Sequence, residues 1–213
     1  MEIDPYLIPG TDVLKNLLGL TDRVELDRAE RLLVLSRTIE GAPKGDFDLN
    51  HLQRIHWHLF QDVYEWAGEI RTLEINKGGD QFQFRQYIPQ GIGDVHSRIR
   101  KAKFLAGLSP SDFAAQAGVI IGDINFTHPF REGNGRTQLE YLRQLGERAG
   151  HPVNPDLLDP DEWREASRAA HNADYDLMSQ AILKRAMVED QGAQSKRQNA
   201  ARNAFLANRG LGR

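Results

Sequence analysis

Apolar positions recur at helical spacing along most of this chain and alternate in only one stretch. Thr11 is positioned to cap a short helix carrying Val13, Leu14, Leu17 and Leu18, after the turn-rich segment 4–11. From Thr21 to Glu40, Val24, Leu26, Leu32, Leu33, Leu35 and Ile39 are interleaved with charges until Gly41-Ala42-Pro43 stops the pattern. Asp48 or Asn50 caps a third helix running to about Val63, with Leu52, Ile55, Leu59, Phe60 and Val63 as its stripe. Ile70–Ile75 and Gln81–Arg85 alternate around the turn Lys77-Gly78-Gly79-Asp80, which predicts a β-hairpin with Phe82 and Phe84 on one face. Helices follow over Tyr87–Leu105, from Ser109-Pro110 to Phe126, and from near Arg136 until Gly146 and Gly150 interrupt it. Two more are expected, one opening at Asp161 with Trp163, Ala166 and Ala170, the other over Tyr175–Val188 after a break at His171–Asp174. The expected fold is mainly α: a helical bundle with one small hairpin, forming a single domain over residues 1–190. Residues 191–213, polar with Lys and Arg but no acid, read as a mobile tail or linker.

Composition narrows the function classes. The 213 residues suffice for a sizeable core, and a net charge of −3 with a pI near 6.2 carries no global footprint for nucleic acid. Without cysteine there is no disulfide, zinc–thiolate site or thiol nucleophile. No uncharged run approaches a membrane span and the start lacks a signal core, so a soluble cytoplasmic protein is the default expectation. His51, His56 and His58 form no i,i+4 pair, so they read as surface or packing residues rather than a helical metal site.

The chemistry concentrates at Phe126–Arg143. An apolar helix arrives at Phe126, Pro129 prevents its simple continuation, and Gly133-Asn134-Gly135 allows a tight turn into the next helix. Such a turn offers backbone N–H groups at the positive end of a helix dipole, with glycines that let an anion approach. Around it stand a histidine that titrates near neutral pH (His128), a hard oxygen ligand (Glu132) and a guanidinium (Arg136). Base, metal ligand, anion nest and charge clamp are what phosphoryl or nucleotidyl transfer requires.

His128-Pro129-Phe130-Arg131-Glu132-Gly133-Asn134-Gly135-Arg136 resembles the signature of the Fic family, His-x-Phe-x-(Asp/Glu)-Gly-Asn-Gly-Arg-x-x-Arg. The resemblance implies transfer of AMP from ATP to a Tyr, Thr or Ser hydroxyl of a target protein. It makes His128 the general base and Glu132 the Mg²⁺ ligand. Gly133, Asn134, Gly135, Arg136 and Thr137 become the nucleotide site, and Phe130 the loop's core contact. It also makes the hairpin a flap that pairs with a target segment, with Lys77, Gly78, Gln83 and Phe84 near nucleotide or target. The opening from Asp4-Pro5-Tyr6 resembles the compact bacterial Fic toxins. That implies a separate small antitoxin as partner and targets such as type II topoisomerases.

One position departs from the signature: Leu139 stands where the family has a second arginine that grips the terminal phosphate and pairs with an inhibitory glutamate. Arg143, roughly 10 Å beyond Arg136 along a helix, is a poor substitute. Ser36–Gly41 fits the family's short inhibitory pattern and makes Glu40 a candidate inhibitory glutamate, alongside the plainer reading of an amphipathic helix end. Two alternatives to AMP transfer stay open: γ-phosphate transfer, as in the Doc relatives, although Gly135-Arg136 favours AMP; and a degenerate module that binds without catalysis, supported by Leu139.

Overall fold

A computed structural model of the chain describes residues 4–184. In chain order these form α1 (Arg23–Glu40), α2 (Leu49–Phe60), a strand pair β1 (Asn76–Lys77) and β2 (Asp80–Gln81), and α3 (Ile88–Lys101). Then come α4 (Pro110–Thr127), α5 (Asn134–Ala149), α6 (Pro160–His171) and α7 (residues 176–184). The protein is a mainly α bundle with one small hairpin. One cluster of buried apolar side chains runs from Tyr6 to Ile182. The proposed tail, 191–213, lies outside the described residues, as does the end of the helix expected to reach Val188.

The helices start where side chains can cap them. Asp22, Asp48, Ser109 and Asp159 each accept from a first-turn N–H of α1, α2, α4 and α6, and proline sits in the first turn of α4 and α6. The cap of α1 is thus Asp22, one residue after Thr21. α4 lies against α3, α5 and α6. Its Phe113, Ala117, Ile120, Ile121 and Ile124 are buried, so the helix that delivers His128 is held on several sides.

Several expectations change. Residues 11–18 form no helix: Thr11 Oγ1 donates to the Ile8 carbonyl and accepts from the Val13 N–H, and Leu7 bridges Leu14 antiparallel. The Thr11 hydroxyl therefore closes a turn rather than opening a helix. α5 begins at Asn134 and runs through Gly146, where a Cβ would come within 2.5 Å of the His151 carbonyl oxygen; it ends at Gly150 in the left-handed region (φ 84°). In the hairpin, the paired strand residues are Asn76↔Gln81 and Lys77↔Asp80 around Gly78-Gly79. Segment 70–75 forms no strand: the Arg71 N–H donates to the Pro129 carbonyl (2.9 Å), and the Ile75 carbonyl reaches across the hairpin to accept from the Phe82 N–H (3.2 Å). Phe82 and Phe84 do not share a buried face. Phe82 is buried, whereas Phe84, at the start of a 3₁₀ turn, is 53% exposed.

Candidate active site

The bend between α4 and α5 is built by its own residues. His128 ends α4 in the left-handed conformation (φ 45°, ψ 61°), with its N–H on the Ile124 carbonyl. Such backbone is unfavourable for a residue with a Cβ and persists where surrounding contacts over-determine it. Here the His128 carbonyl accepts from Arg71 Nε at 2.8 Å. Asn134 closes the loop: its Oδ1 accepts from the Phe130 N–H (2.9 Å) and its Nδ2 donates to the Phe130 carbonyl (2.8 Å). Phe130, fully buried, stacks on His56 at 3.9 Å between centroids. Arg131 ties the loop to the N-terminal segment through Asp4 (2.8 Å).

The imidazole of His128 lies under the hairpin, stacked on Phe82 with centroids 3.8 Å apart. Its Nδ1 is 3.3 Å from the Asn125 carbonyl. A carbonyl only accepts, so in the neutral ring the proton sits on Nδ1 and Nε2 carries the basic lone pair.

Gly133 enters α5 at φ 79° with no side-chain cap, and a Cβ there would meet the Phe60 ring at 2.3 Å. A Cβ on Gly135 would meet nothing within 4 Å. The first-turn N–H groups of α5 have no carbonyl one turn back, so this uncapped end concentrates positive potential beside open space. The Thr137 hydroxyl, fully buried, donates to the Gly133 carbonyl (3.0 Å) and braces the turn. With the Asn134 amide turned inward, what Asn134 and Thr137 present to an anion is limited to main chain.

Glu132 and Arg136 flank this end. Glu132 accepts from the Gly133 N–H through Oε1 (2.9 Å) and is about half exposed. Among the described residues no three His, Cys, Asp or Glu side chains group into a metal cage. An accessible carboxylate beside such a helix start is still of a kind that fits Mg²⁺, which takes one or two carboxylates and completes its shell with other oxygens and water. Arg136 packs over Phe60 (4.6 Å) and pairs with Glu30 of α1 at 2.6 Å, while the Tyr64 hydroxyl donates to the other Glu30 oxygen. Burial, and then Glu30, push the Tyr64 phenol up from its ordinary pKa.

Sequence reasoning missed three contributors. Glu30 sits between Leu26 and Val34 at i±4, a carboxylate inside the buried stripe of α1, and that spacing was its signal. His56 accepts from the Gly68 N–H through Nδ1 (2.7 Å) and donates from Nε2 to the Glu132 carbonyl (3.0 Å); burial depresses its pKa to about 3. Arg71, whose side chain is fully buried, donates to the carbonyls of His128, Leu73 and Gln83. Burial lowers its pKa below the usual guanidinium value.

Other named positions fall apart from the bend. Glu40 pairs with Arg37 at the far end of α1 and is half exposed. Leu139 packs against the core, and Arg143 is engaged by Glu140 and Glu147. Gly78 is at the hairpin tip with open space around it, next to the backbone of Lys77. The Gln83 N–H donates to the Phe126 carbonyl (3.0 Å).

Residues 46–145 match the model of the Fic/DOC family. Protein adenylyltransferase VbhT of Bartonella schoenbuchensis is 38% identical over 87% of this chain, which spans only 39% of that protein's length. A probable protein adenylyltransferase, y4lH of Sinorhizobium fredii, is 38% identical over 80% of this chain and 90% of its own length. The crystal structure of BepC from Bartonella tribocorum, with bound AMPPNP, superposes with a TM-score of 0.79 at 26% identity, covering 84% of this chain and 95% of that one. Fold, loop and relatives agree, and the chain belongs to the Fic/DOC family.

Proposed function

We propose that this chain is a protein adenylyltransferase that moves AMP from ATP to a hydroxyl side chain of a target protein. His128 Nε2 takes the hydroxyl proton, the oxygen attacks the α-phosphorus, the bond to the leaving pyrophosphate breaks, and AMP remains on the target. A hydroxyl is a weak nucleophile at neutral pH, and a positioned base contributes 10²–10⁴-fold. The observation that carries this reading is the convergence at one bend of an imidazole with its proton on Nδ1, an accessible carboxylate, and an uncapped glycine-lined helix start. Homologues named as adenylyltransferases and a fold match holding an ATP analogue support it.

In this reading the phosphates rest on the main chain of Gly133, Asn134, Gly135 and Arg136, braced by Thr137, with the Arg136 guanidinium as clamp. Glu132 holds Mg²⁺, which when bound offsets phosphate charge. Lys77 and Gly78 at the flap tip and Gln83 and Phe84 at its root are assigned to nucleotide and target contact; the exposed Phe84 ring suits docking of an extended segment. Restraint by a separate small antitoxin, a type II topoisomerase as target, and action in the cytoplasm complete the proposal. Among the described residues no helix is long and apolar enough to cross a membrane.

The test is incubation of a susceptible lysate with ATP labelled at the α or the γ phosphate, using wild-type protein and His128→Ala. Label from the α position alone, lost in His128→Ala, is expected. Label from the γ position alone points to phosphate transfer instead, and no label from either points to the degenerate module.

A further inference from the structure

We propose that Arg71 is a positioning residue that couples the flap to the catalytic base, so that a target docked on the flap and the His128 imidazole keep a common register. This rests on the transferase reading of the same site. The guanidinium has no solvent exposure, and its fork spans three segments. Nε donates to the His128 carbonyl (2.8 Å), Nη1 to the Leu73 carbonyl before β1 (2.7 Å), and Nη2 to the Gln83 carbonyl after β2. Both roots of the hairpin and the residue bearing the base thus meet on one rigid plane. Two backbone bonds run alongside, from the Arg71 N–H to Pro129 and from the Gln83 N–H to Phe126.

Burying a guanidinium is costly, and the carboxylate beside it, Glu74 at 3.2 Å, is itself a third exposed. Main-chain carbonyls therefore hold most of this charge, and they are spaced for a planar fork that a lysine cannot span. The Nε bond also fixes the carbonyl of the left-handed His128, and with it the direction in which the ring leaves the chain. The anion half of the bend hangs on different contacts, His56 to Glu132 and Asn134 to Phe130. Arg71 accordingly acts on hydroxyl activation rather than on nucleotide binding.

The test compares full-length wild type with Arg71→Lys, Arg71→Gln and Glu74→Gln by three readouts: amide hydrogen exchange, affinity for a non-hydrolysable ATP analogue, and kcat for AMP transfer. In the arginine variants the Gln83 amide and the amide at position 71 should exchange at least about tenfold faster together, while the Thr137 amide in α5 keeps its protection. Nucleotide affinity should stay within about threefold while kcat falls about thirtyfold, the scale of a small misplacement of the base. Unchanged exchange, or affinity falling in step with kcat, would overturn the proposal. Glu74→Gln keeps an oxygen for the Arg71 and Arg85 donors and removes the charge that both face. It should show the same pattern at about threefold, and it decides the matter if the arginine variants do not fold, an unmoved exchange and kcat then counting against the coupling. A wild type that transfers no AMP sinks the transferase reading alone, since exchange and affinity still report on Arg71.

Discussion

Phe82 lies face-on against His128, with ring centroids 3.8 Å apart and planes inclined by 14°. The hairpin segment thereby walls one side of the His128 imidazole, and Phe82 in turn meets His171 edge-on at 5.4 Å. Removing the ring takes away this stacking restraint on the imidazole. Phe82→Ala is expected to lower kcat for AMP transfer at least about tenfold, or ~1.4 kcal/mol of barrier. Phe82→Tyr keeps the stacking surface and should retain most of the rate. Steady-state kinetics on the two variants checks this; equal rates in Phe82→Ala and wild type would remove the flap wall from the mechanism.

Glu30 is the acidic side chain of α1 that reaches the loop. Its carboxylate is shared between Arg136 and the Tyr64 hydroxyl and is 7% exposed, so truncation leaves the phenol without its acceptor and the guanidinium with only the longer Glu132 pair at 3.7 Å. Glu30→Ala should cost about 2–3 kcal/mol in denaturant unfolding, and Tyr64→Phe about 1 kcal/mol. Because Arg136 then loses its shorter ion pair and keeps only Glu132 and the Phe60 face, affinity for ATP should fall in Glu30→Ala, as measured by titration calorimetry.

Glu40 stands ten residues further along the same helix, about 15 Å at 1.5 Å per residue, paired with Arg37 in solvent. With Leu139 in the core, no arginine stands at the position the family's inhibitory glutamate would engage. Self-modification by Glu40→Ala is expected to match wild type within about twofold, the scale of a surface ion pair. A large rise would reinstate internal inhibition and assign Glu40 that role.

These contrasts show what was readable in the chain. The bend was legible because its chemistry is contiguous: the histidine, the carboxylate, the glycines and the arginine lie within nine residues and impose their geometry locally. Caps at Asp48 and Ser109 were legible for the same reason. Thr11 was misread because a hydroxyl closes a turn as well as it caps a helix, and only the Leu7–Leu14 bridge decides which. Arg71 and His56 were invisible as site residues because their partners in the bend lie 57 and 76 positions away, and Glu30, flagged only by its place in the stripe of α1, meets Arg136 more than 100 positions on. Of the apolar positions interleaved with charges in α1, Val24, Leu32, Leu35 and Ile39 are exposed, and Leu26-Glu30-Val34 faces the core. Amphipathic periodicity located that helix without identifying its buried side.

His56 makes acid a specific stress on the loop. Both its nitrogens are committed while neutral, Nδ1 as acceptor and Nε2 as donor, and burial holds its pKa at about 3, below the ordinary 6.5. A group whose base form is favoured by folding contributes stability that is complete above the unfolded pKa and lost as pH falls toward the folded one. Between pH 6.5 and pH 5 this amounts to about 2 kcal/mol from 1.5 units of pH. His51, also depressed chiefly by burial, adds in the same direction. Unfolding free energies at the two pH values should show this loss, and His56→Gln should flatten it while lowering stability at pH 7.

Gly133 and Gly135 are two residues apart and should fail in opposite ways. At Gly133 a Cβ would lie 2.3 Å from the Phe60 ring on a backbone at φ 79°, so Gly133→Ala should unfold the bend and cost more than about 2 kcal/mol. At Gly135 the backbone is helical and the space is open, so Gly135→Ala should fold normally and gain a few tenths of a kcal/mol from helix propensity. That open space, however, is the approach to the first-turn N–H groups of α5. A methyl group there should weaken ATP binding about tenfold or more without lowering the thermal midpoint of the ligand-free protein. Unimpaired ATP binding in Gly135→Ala would mean that the phosphates rest elsewhere, and the helix start would then have no part in holding the nucleotide.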